Sequence, residues 1–437
     1  MKPETKKLLI ITYYWPPAGG PGVQRWLKFV KYLPDFNIQP IVYIPENPTY
    51  PIVDEGLQSE VSDKAIILKN KIFEPYGLAS FFGKAKTKKI SSGIIPNQKK
   101  QSLLEKTLLW VRGNLFIPDA RFLWVKPSVK YLKKYIQENN IDTIVTSGPP
   151  HSLHLIGLQL KKELNIKWLA DFRDPWTTIG YHKALKLSDY AERKHKQLEH
   201  QVLNAADTII VTSKTTKTEF QAITSKPIEV ITNGYDVEKI DKQALDEKFT
   251  LAHIGSFLSE RNPTILWEAL QELVEENIDF KNDFRLKLIG ATSQEVLDTI
   301  SEFKLQDYVQ NLGYVSHQEA VEHQRKSQVL VLIEINSTAT KSIIPGKLFE
   351  YLVSERPIIA LGPNGSDFAE IITSTNTGVF FTYNEKERLK TLLLNYHNQY
   401  KIQNLKVNAV GLQQYSRKNL TAELAKLFLN HNKIINS

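Results

Sequence analysis

The run Leu8-Leu9-Ile10-Ile11-Thr12-Tyr13-Tyr14-Trp15-Pro16-Pro17-Ala18-Gly19-Gly20-Pro21-Gly22, continued by Val23–Leu33, is the most informative stretch of the chain. Its apolar start, Leu8–Tyr13, is short and unbroken, as in a strand covered on both faces, and Val23–Leu33 is an amphipathic helix. Between them lies a proline- and glycine-rich turn, which lets a phosphate or sugar approach the backbone beside the orphan amides of the helix start. The Gly-x-Gly-x-x-Gly dinucleotide fingerprint is absent. The turn reads equally as plain structural punctuation. Lysines ahead of Leu8 briefly imitate a secretory signal, but the apolar run is short, continues into aromatics and lacks a small-residue cleavage site.

The same unit recurs outward from this stretch. Pro40–Ile44, Thr143–Thr146, Lys167–Ala170, Thr208–Val211 and Ile228–Ile231 read as strands, with helices Ser152–Leu164 and Asp189–Ala205 among them. The pattern restarts with Thr250–Ile254, Phe284–Ile289, Val309–Leu312, Val329–Ile333, Pro357–Ala360 and Gly378–Phe381. Strand–helix alternation with apolar strands predicts an α/β protein of two tandem doubly wound, Rossmann-like domains facing a cleft. We expect domains at 1–235 and 250–410, a linker at 236–249 around the Asn233-Gly234 turn, and a C-terminal segment 411–437. The helix within that last segment (Leu420, Leu424, Leu427, Phe428) packs back toward the first domain. A length of 437 residues fits two cores better than one.

The chain has no cysteine, which excludes disulfide scaffolds, thiolate metal sites and cysteine nucleophiles and fits a reducing cytoplasm. No run of about 20 apolar residues is present, so a spanning helix is not expected. The net charge is +9, and it is concentrated. From Lys64 to Lys134, sixteen Lys/Arg face three acids, a local surplus of +13 that leaves −4 for the remainder. Phe81-Phe82, Leu103-Leu104, Leu108-Leu109-Trp110 and Phe116 are interleaved with these lysines, a mixture suited to an anionic membrane surface. Nucleic acid is a competing partner, but no nucleic-acid-binding motif accompanies the charge. A solvated loop beside a core helix is the bland alternative.

Candidate chemistry gathers at strand ends, where open α/β sheets bind ligands. In Ile343-Ile344-Pro345-Gly346-Lys347-Leu348-Phe349-Glu350, proline opens a helix, Gly346 clears the approach and Lys347 adds a full charge. The backbone around Leu348 completes an anion cradle, and Glu350 stands three residues beyond Lys347, able to accept both hydroxyls of a ribose; it reads equally as an exposed helix glutamate. After Thr250–Ile254, Gly255 leads to Arg261, well placed for a bidentate pyrophosphate contact. Gly313-Tyr314-Val315 can present backbone to a nucleobase. In the first half, Asp171-Phe172-Arg173-Asp174-Pro175-Trp176 follows a buried strand. Asp171 can orient an acceptor hydroxyl or take its proton. Arg173 can pair with either aspartate or an acceptor phosphate, or simply lock the loop with Asp174. His151 and His154 are acceptor-side candidates or packing residues. No Asp-x-Asp pair and no His-Glu-x-x-His helix occurs, so no metal is expected.

These motifs together resemble glycosyltransferase family 4 (glycosyl transferases group 1), two-domain enzymes of the GT-B fold that use nucleotide sugars. Residues Tyr13–Pro17 with Gly19-Gly20, and Asp171–Trp176, are similar to bacterial polysaccharide-assembly members. The resemblance implies a nucleoside-diphosphate sugar as co-substrate, a glycan or polyprenyl-linked acceptor, retention of configuration, and a cytoplasmic enzyme, peripheral at the inner face of the membrane. It also implies that Glu350 holds the donor ribose, that Arg261 and Lys347 neutralise the pyrophosphate, and that Gly19 and Gly20 line the reaction centre. The family's first glutamate should lie eight residues before Glu350, where this chain has Ser342, so Lys341 or Ser342 would replace it. A nucleotide-sugar epimerase of the same fold and a non-catalytic sugar or membrane adaptor are the alternative readings.

Overall fold

The computed structural model describes residues 5–74, 103–180, 182, 185–236 and 243–429. Phe81-Phe82 and the densest part of the lysine-rich segment lie outside the described residues. The chain divides into two compact units, Met1–Asn233 with Arg417–Ser437, and Gly234–Ser416.

Unit 1 carries strands β1 (Lys6–Ile11), β2 (Ile38–Pro45), β3 (Ile66–Asn70), β4 (Thr143–Gly148), β5 (Lys167–Phe172), β6 (Thr208–Val211) and β7 (Ile228–Val230). They form a parallel sheet in the order β3-β2-β1-β4-β5-β6-β7. Its helices are α1 (Pro21–Tyr32), α2 (Leu103–Leu115), α3 (Val125–Glu138), α4 (Ser152–Glu163), α5 (Asp189–Ala205) and α6 (Lys214–Gln221). Strands β1 and β4 are buried at nearly every position because helices cover both faces, which is why they read as continuous apolar runs. Strand β3 escaped the sequence pattern: it is an edge strand whose residues are half-buried or exposed, so no face carries an apolar signal.

Unit 2 carries β8 (Phe249–Ile254), α7 (Thr264–Glu276), α8 (Ile278–Asp283), β9 (Phe284–Ile289), α9 (Gln294–Glu302), β10 (Val309–Gly313), α10 (His317–Lys326), β11 (Val329–Ile333), α11 (Lys347–Leu352), β12 (Ile358–Leu361), α12 (Asp367–Thr375), β13 (Gly378–Phe381) and α13 (Lys386–Lys401). The order is β10-β9-β8-β11-β12-β13, again all parallel. In each sheet the winding direction reverses once, between β1 and β4 and between β8 and β11, and ligands of doubly wound folds sit beyond the strand ends at such a reversal.

The final helix, α14 (Arg417–Leu429), belongs to unit 1. Its Leu420, Leu424, Ala425 and Phe428 share a core cluster with Trp26 and Leu27 of α1. The ammonium groups of Lys6 and Lys167 donate to the carbonyls of Phe428 and Leu427 at 2.8 and 2.6 Å, satisfying the orphan acceptors at the helix end.

Candidate functional site

In unit 2 the carboxyl ends of β8, β9 and β10 finish in three glycines, Gly255, Gly290 and Gly313, at φ +112°, +117° and +66°. The neighbours of the second explain why it is glycine. A side chain on Gly290 would come within 2.6 Å of the Gly255 carbonyl, and Gly290 donates its amide to the Gly313 carbonyl at 2.6 Å. Close packing of these turns puts the backbone at Gly255 beside Lys347, whose Nζ would lie 3.3 Å from a Cβ there. Gly290 was not among the sequence candidates; a lone glycine after an apolar strand is common and marks nothing by itself.

Lys347 is anchored rather than free. Its ammonium donates to the Ile254 carbonyl at 2.9 Å and faces His253 Nε2 at 3.3 Å. The other ring nitrogen of that histidine lies 3.2 Å from the Val331 carbonyl, which it reaches as a donor, so Nε2 offers Lys347 a lone pair. Two of the three N–H groups are thereby directed inward and one is left for a ligand. Burial lowers the Lys347 pKa to about 7, with Arg261 adding to the effect and Glu334 and Glu350 opposing it. Arg261 directs Nη2 toward both carboxylate oxygens of Glu334 at 3.4 Å, and its Nε is buried with no hydrogen-bond partner among the described residues. Glu350 accepts from Gln324 Nε2 at 2.9 Å through Oε2, a bond that orients the carboxylate. Arg261 and Lys347 therefore share one neighbourhood, and Glu350 acts on it electrostatically.

Other expectations for this unit need correction. Leu348 is fully buried in the core and its amide donates to Pro345, so neither side chain nor N–H is offered to a ligand. The helix begun by Lys347 is only six residues long, so its dipole is a minor part of any anion binding. Gly346 is helical with nothing within 4 Å of a would-be Cβ, which leaves the approach open. Val315 is half-buried against the core just ahead of α10, whose start is closed by a reciprocal Ser316–Glu319 capping box. Glu334 and His253 were missed in sequence, although Glu334 is a carboxylate at the end of the apolar run Val329–Ile333, the same signal that singled out Asp171.

In unit 1 the reading of Asp171 as a proton acceptor is overturned. It is fully buried, and both oxygens are engaged: Arg25 Nη2 and Nε at 2.8 and 3.1 Å on Oδ1, Trp26 Nε1 and Ser147 Oγ at 2.8 Å on Oδ2. Burial pushes its pKa up, but Arg25 and these donors overbalance it and hold the carboxyl below its ordinary range. Such a group is a fixed anion tying α1 to β5. Arg173 likewise locks loops: it donates to the carbonyls of Gly22 (2.6 Å), Gly148 and Pro149, with its guanidinium 5.6 Å from the Tyr14 ring. No ion pair joins it to either aspartate within 4 Å among the described residues. Asp174 differs. It is half-buried, accepts no hydrogen bond among the described residues, and burial raises its pKa against the pull of Arg173. Of the two aspartates, Asp174 alone has carboxylate oxygens that accept no hydrogen bond among the described residues.

His151 and His154 lie behind the Gly148 turn. His154 is fully buried, its Nδ1 2.8 Å from Thr146 Oγ1, which in turn accepts from Trp168 Nε1. His151 stacks on Trp176 at 4.7 Å with neither ring nitrogen hydrogen-bonded among the described residues. Burial keeps both neutral, His154 at about 3. The role expected of Gly19 also changes. A Cβ there would strike Ile52 at 2.8 Å, and its amide donates to the Ile52 carbonyl, so the neighbouring chain rather than a ligand demands the glycine. Gly20, at φ +87°, begins α1. Among the described residues no three His, Asp or Glu side chains are grouped as a metal site.

Against known proteins, residues 94–239 match the model of Glycosyltransferase Family 4 and residues 236–432 that of Glycosyl transferases group 1. No curated protein matches the sequence significantly. Sucrose-phosphate synthase from Thermosynechococcus elongatus superposes with a TM-score of 0.59 at 14% identity, over 97% of this chain and 98% of that one. HepE of Anabaena, solved with UDP-glucose, gives 0.57 at 12% identity over 97% and 99%. WaaG, a glycosyltransferase of lipopolysaccharide biosynthesis, gives 0.55 at 11% over 97% and 100%. The fold is GT-B, and the chain belongs to the family 4, group 1 glycosyltransferases.

Proposed function

We propose that this protein transfers a sugar from a nucleoside-diphosphate sugar to a glycan or polyprenyl-linked acceptor in the assembly of a cell-surface polysaccharide. One observation carries the reading: Arg261 and Lys347, two cations with donors to spare, converge at the switch point of unit 2 beside an oriented Glu350. A diphosphate would take Lys347's third N–H and the Arg261 guanidinium, and Glu350 would take the ribose hydroxyls. HepE, solved with UDP-glucose, supports a nucleotide-sugar donor. Leaving-group charge is then stabilised by these cations without a metal, a reading supported by the absence of any Asp-x-Asp sequence. Retention of configuration follows from the family likeness. On the acceptor side we assign hydroxyl orientation to Asp174, with Asp171, Arg173 and the two histidines holding its loop.

The enzyme works at the cytoplasmic membrane face in this reading. Support comes from the basic segment 64–134 and from exposed apolar side chains within it, Trp110 (46%) and Leu115 (61%). No helix among the described residues is long and apolar enough to cross a membrane. The test is a thermal-shift screen of nucleoside-diphosphate sugars, followed by product analysis with and without glycan or polyprenyl-phosphate acceptors. Transfer only in the presence of acceptor supports the proposal. Donor interconversion without acceptor replaces it with epimerisation, and binding without nucleotide release replaces it with an adaptor role.

A further inference from the structure

Glu334 follows β11 with a carboxylate only 1% exposed, behind an Arg261 side chain that is 27% exposed. It accepts one short hydrogen bond, from Ile335 N at 2.9 Å, while Arg261 Nη2 sits 3.4 Å from each oxygen. One bond and a stretched ion pair are thin compensation for a carboxylate withdrawn from water. Its negative charge also bears on Lys347, favouring the ammonium form against burial and against Arg261. The backbone carbonyl of the same residue accepts from Tyr383 Oη at 2.7 Å, which fixes the end of the strand. A buried anion is thus placed on the inner side of two cations whose outer sides are unspent.

Resting on the diphosphate site above, we propose that Glu334 is a positioning residue, an internal anion that keeps Arg261 aligned and Lys347 charged in the free enzyme and yields the guanidinium to the incoming diphosphate. A contact of 3.4 Å to both oxygens is readily exchanged for a shorter charge-assisted bond to phosphate. The groups facing Lys347 are His253 from β8, Arg261 from the turn after β8, Glu334 from the end of β11, and Glu350 with Tyr351 from α11. Of these, Glu334 and Glu350 are the carboxylates, and Glu350 already accepts a bond from Gln324.

The experiment is isothermal titration of wild type, E334Q and E334D with UDP, GDP and ADP between pH 6 and 9. The wild type binds one of these diphosphates, with affinity falling as pH rises and Lys347 loses its proton. In E334Q the falling limb moves to lower pH by about one unit, so that affinity at pH 8 drops about tenfold. E334D keeps the charge and restores the limb. If E334Q does not fold, E334S removes the charge with a smaller group and must show the same displacement. A wild-type limb in the uncharged variant, or an E334D limb displaced as far as that of E334Q, overturns the role of Glu334 and leaves the diphosphate site standing. A wild type that binds none of the three probes overturns the site and this role with it.

Discussion

Replacing Asp171 by Asn separates a fixed structural anion from a proton acceptor. The substitution keeps the shape but removes the charge facing Arg25 at 2.8 Å, and it turns an amide toward Trp26 Nε1 and Ser147 Oγ, both of which donate to the present carboxylate. Arg25, itself 3% exposed, is left as a buried cation with only neutral acceptors, the new amide oxygen and the Thr232 carbonyl at 2.9 Å. Breaking one side of a buried pair costs about 3–5 kcal/mol. For a unit of this size that lowers the melting temperature by about 10 °C, at roughly 2–4 °C per kcal/mol. The readout is thermal and urea unfolding of wild type, D171N, R25M and the double variant R25M/D171L. The double variant recovers most of the loss, because an apolar pair leaves no uncompensated charge. The folded pKa is depressed, so the carboxylate's contribution is present above the unfolded value of about 3.9 and is lost as pH falls toward the folded one. The gap between wild type and D171N therefore closes on acidification. A D171N protein that melts with the wild type at neutral pH and yet loses turnover would refute this reasoning and restore Asp171 as a base.

Four further outcomes are expected. K347A and R261A each weaken nucleoside-diphosphate binding about 10- to 100-fold, the range of one charge-assisted contact, as measured by titration calorimetry; unchanged binding removes these residues from the site. G255A destabilises by about 1–3 kcal/mol, because its φ of +112° suits glycine and its Cβ would press on Lys347 Nζ, and a wild-type urea midpoint would contradict this. D174N lowers kcat with little effect on melting, the opposite profile to D171N; a large melting shift assigns Asp174 to the loop lock instead. Finally, His154 and His182, the latter also buried in unit 1, stay neutral in the fold, at about 3 and 4, while the unfolded chain takes up protons below about 6.5. Unit 1 accordingly loses about 1.4 kcal/mol per histidine per pH unit between pH 6.5 and 4, and H154Q flattens that slope in urea titrations.

Most of the architecture was legible because burial leaves a periodic mark. Val329–Ile333 is apolar on both faces, and Phe284–Ile289 keeps one wholly apolar face while Arg285 and Lys287 take the other, so the limits of both coincide in sequence and structure. Edge strand β3 left no such mark. For the site, sequence finds residue types at strand ends but not what they touch. Asp171 lies near the carboxyl end of buried β5 and Glu334 just past buried β11, yet only the fold reveals that Arg25, more than a hundred residues away in the chain, neutralises Asp171. Gly19 and Leu348 show the same limit, since a demanding neighbour and an inward-facing side chain both depend on packing that no local pattern encodes.

The placement of α14 carries a consequence for biosynthesis. Tyr235 and Ser416, near the two limits of unit 2, are bridged, with the Tyr235 amide donating to the Tyr415 carbonyl at 3.1 Å, so unit 2 is an excursion inserted between β7 and the last helix of unit 1. The ribosome therefore delivers Leu420, Leu424 and Phe428 only after all of unit 2 has emerged. At roughly 10 residues per second, Trp26 and its apolar neighbours on α1 stay uncovered for about 20 seconds after the rest of unit 1 has been made, an interval in which a nascent-chain chaperone has its natural client.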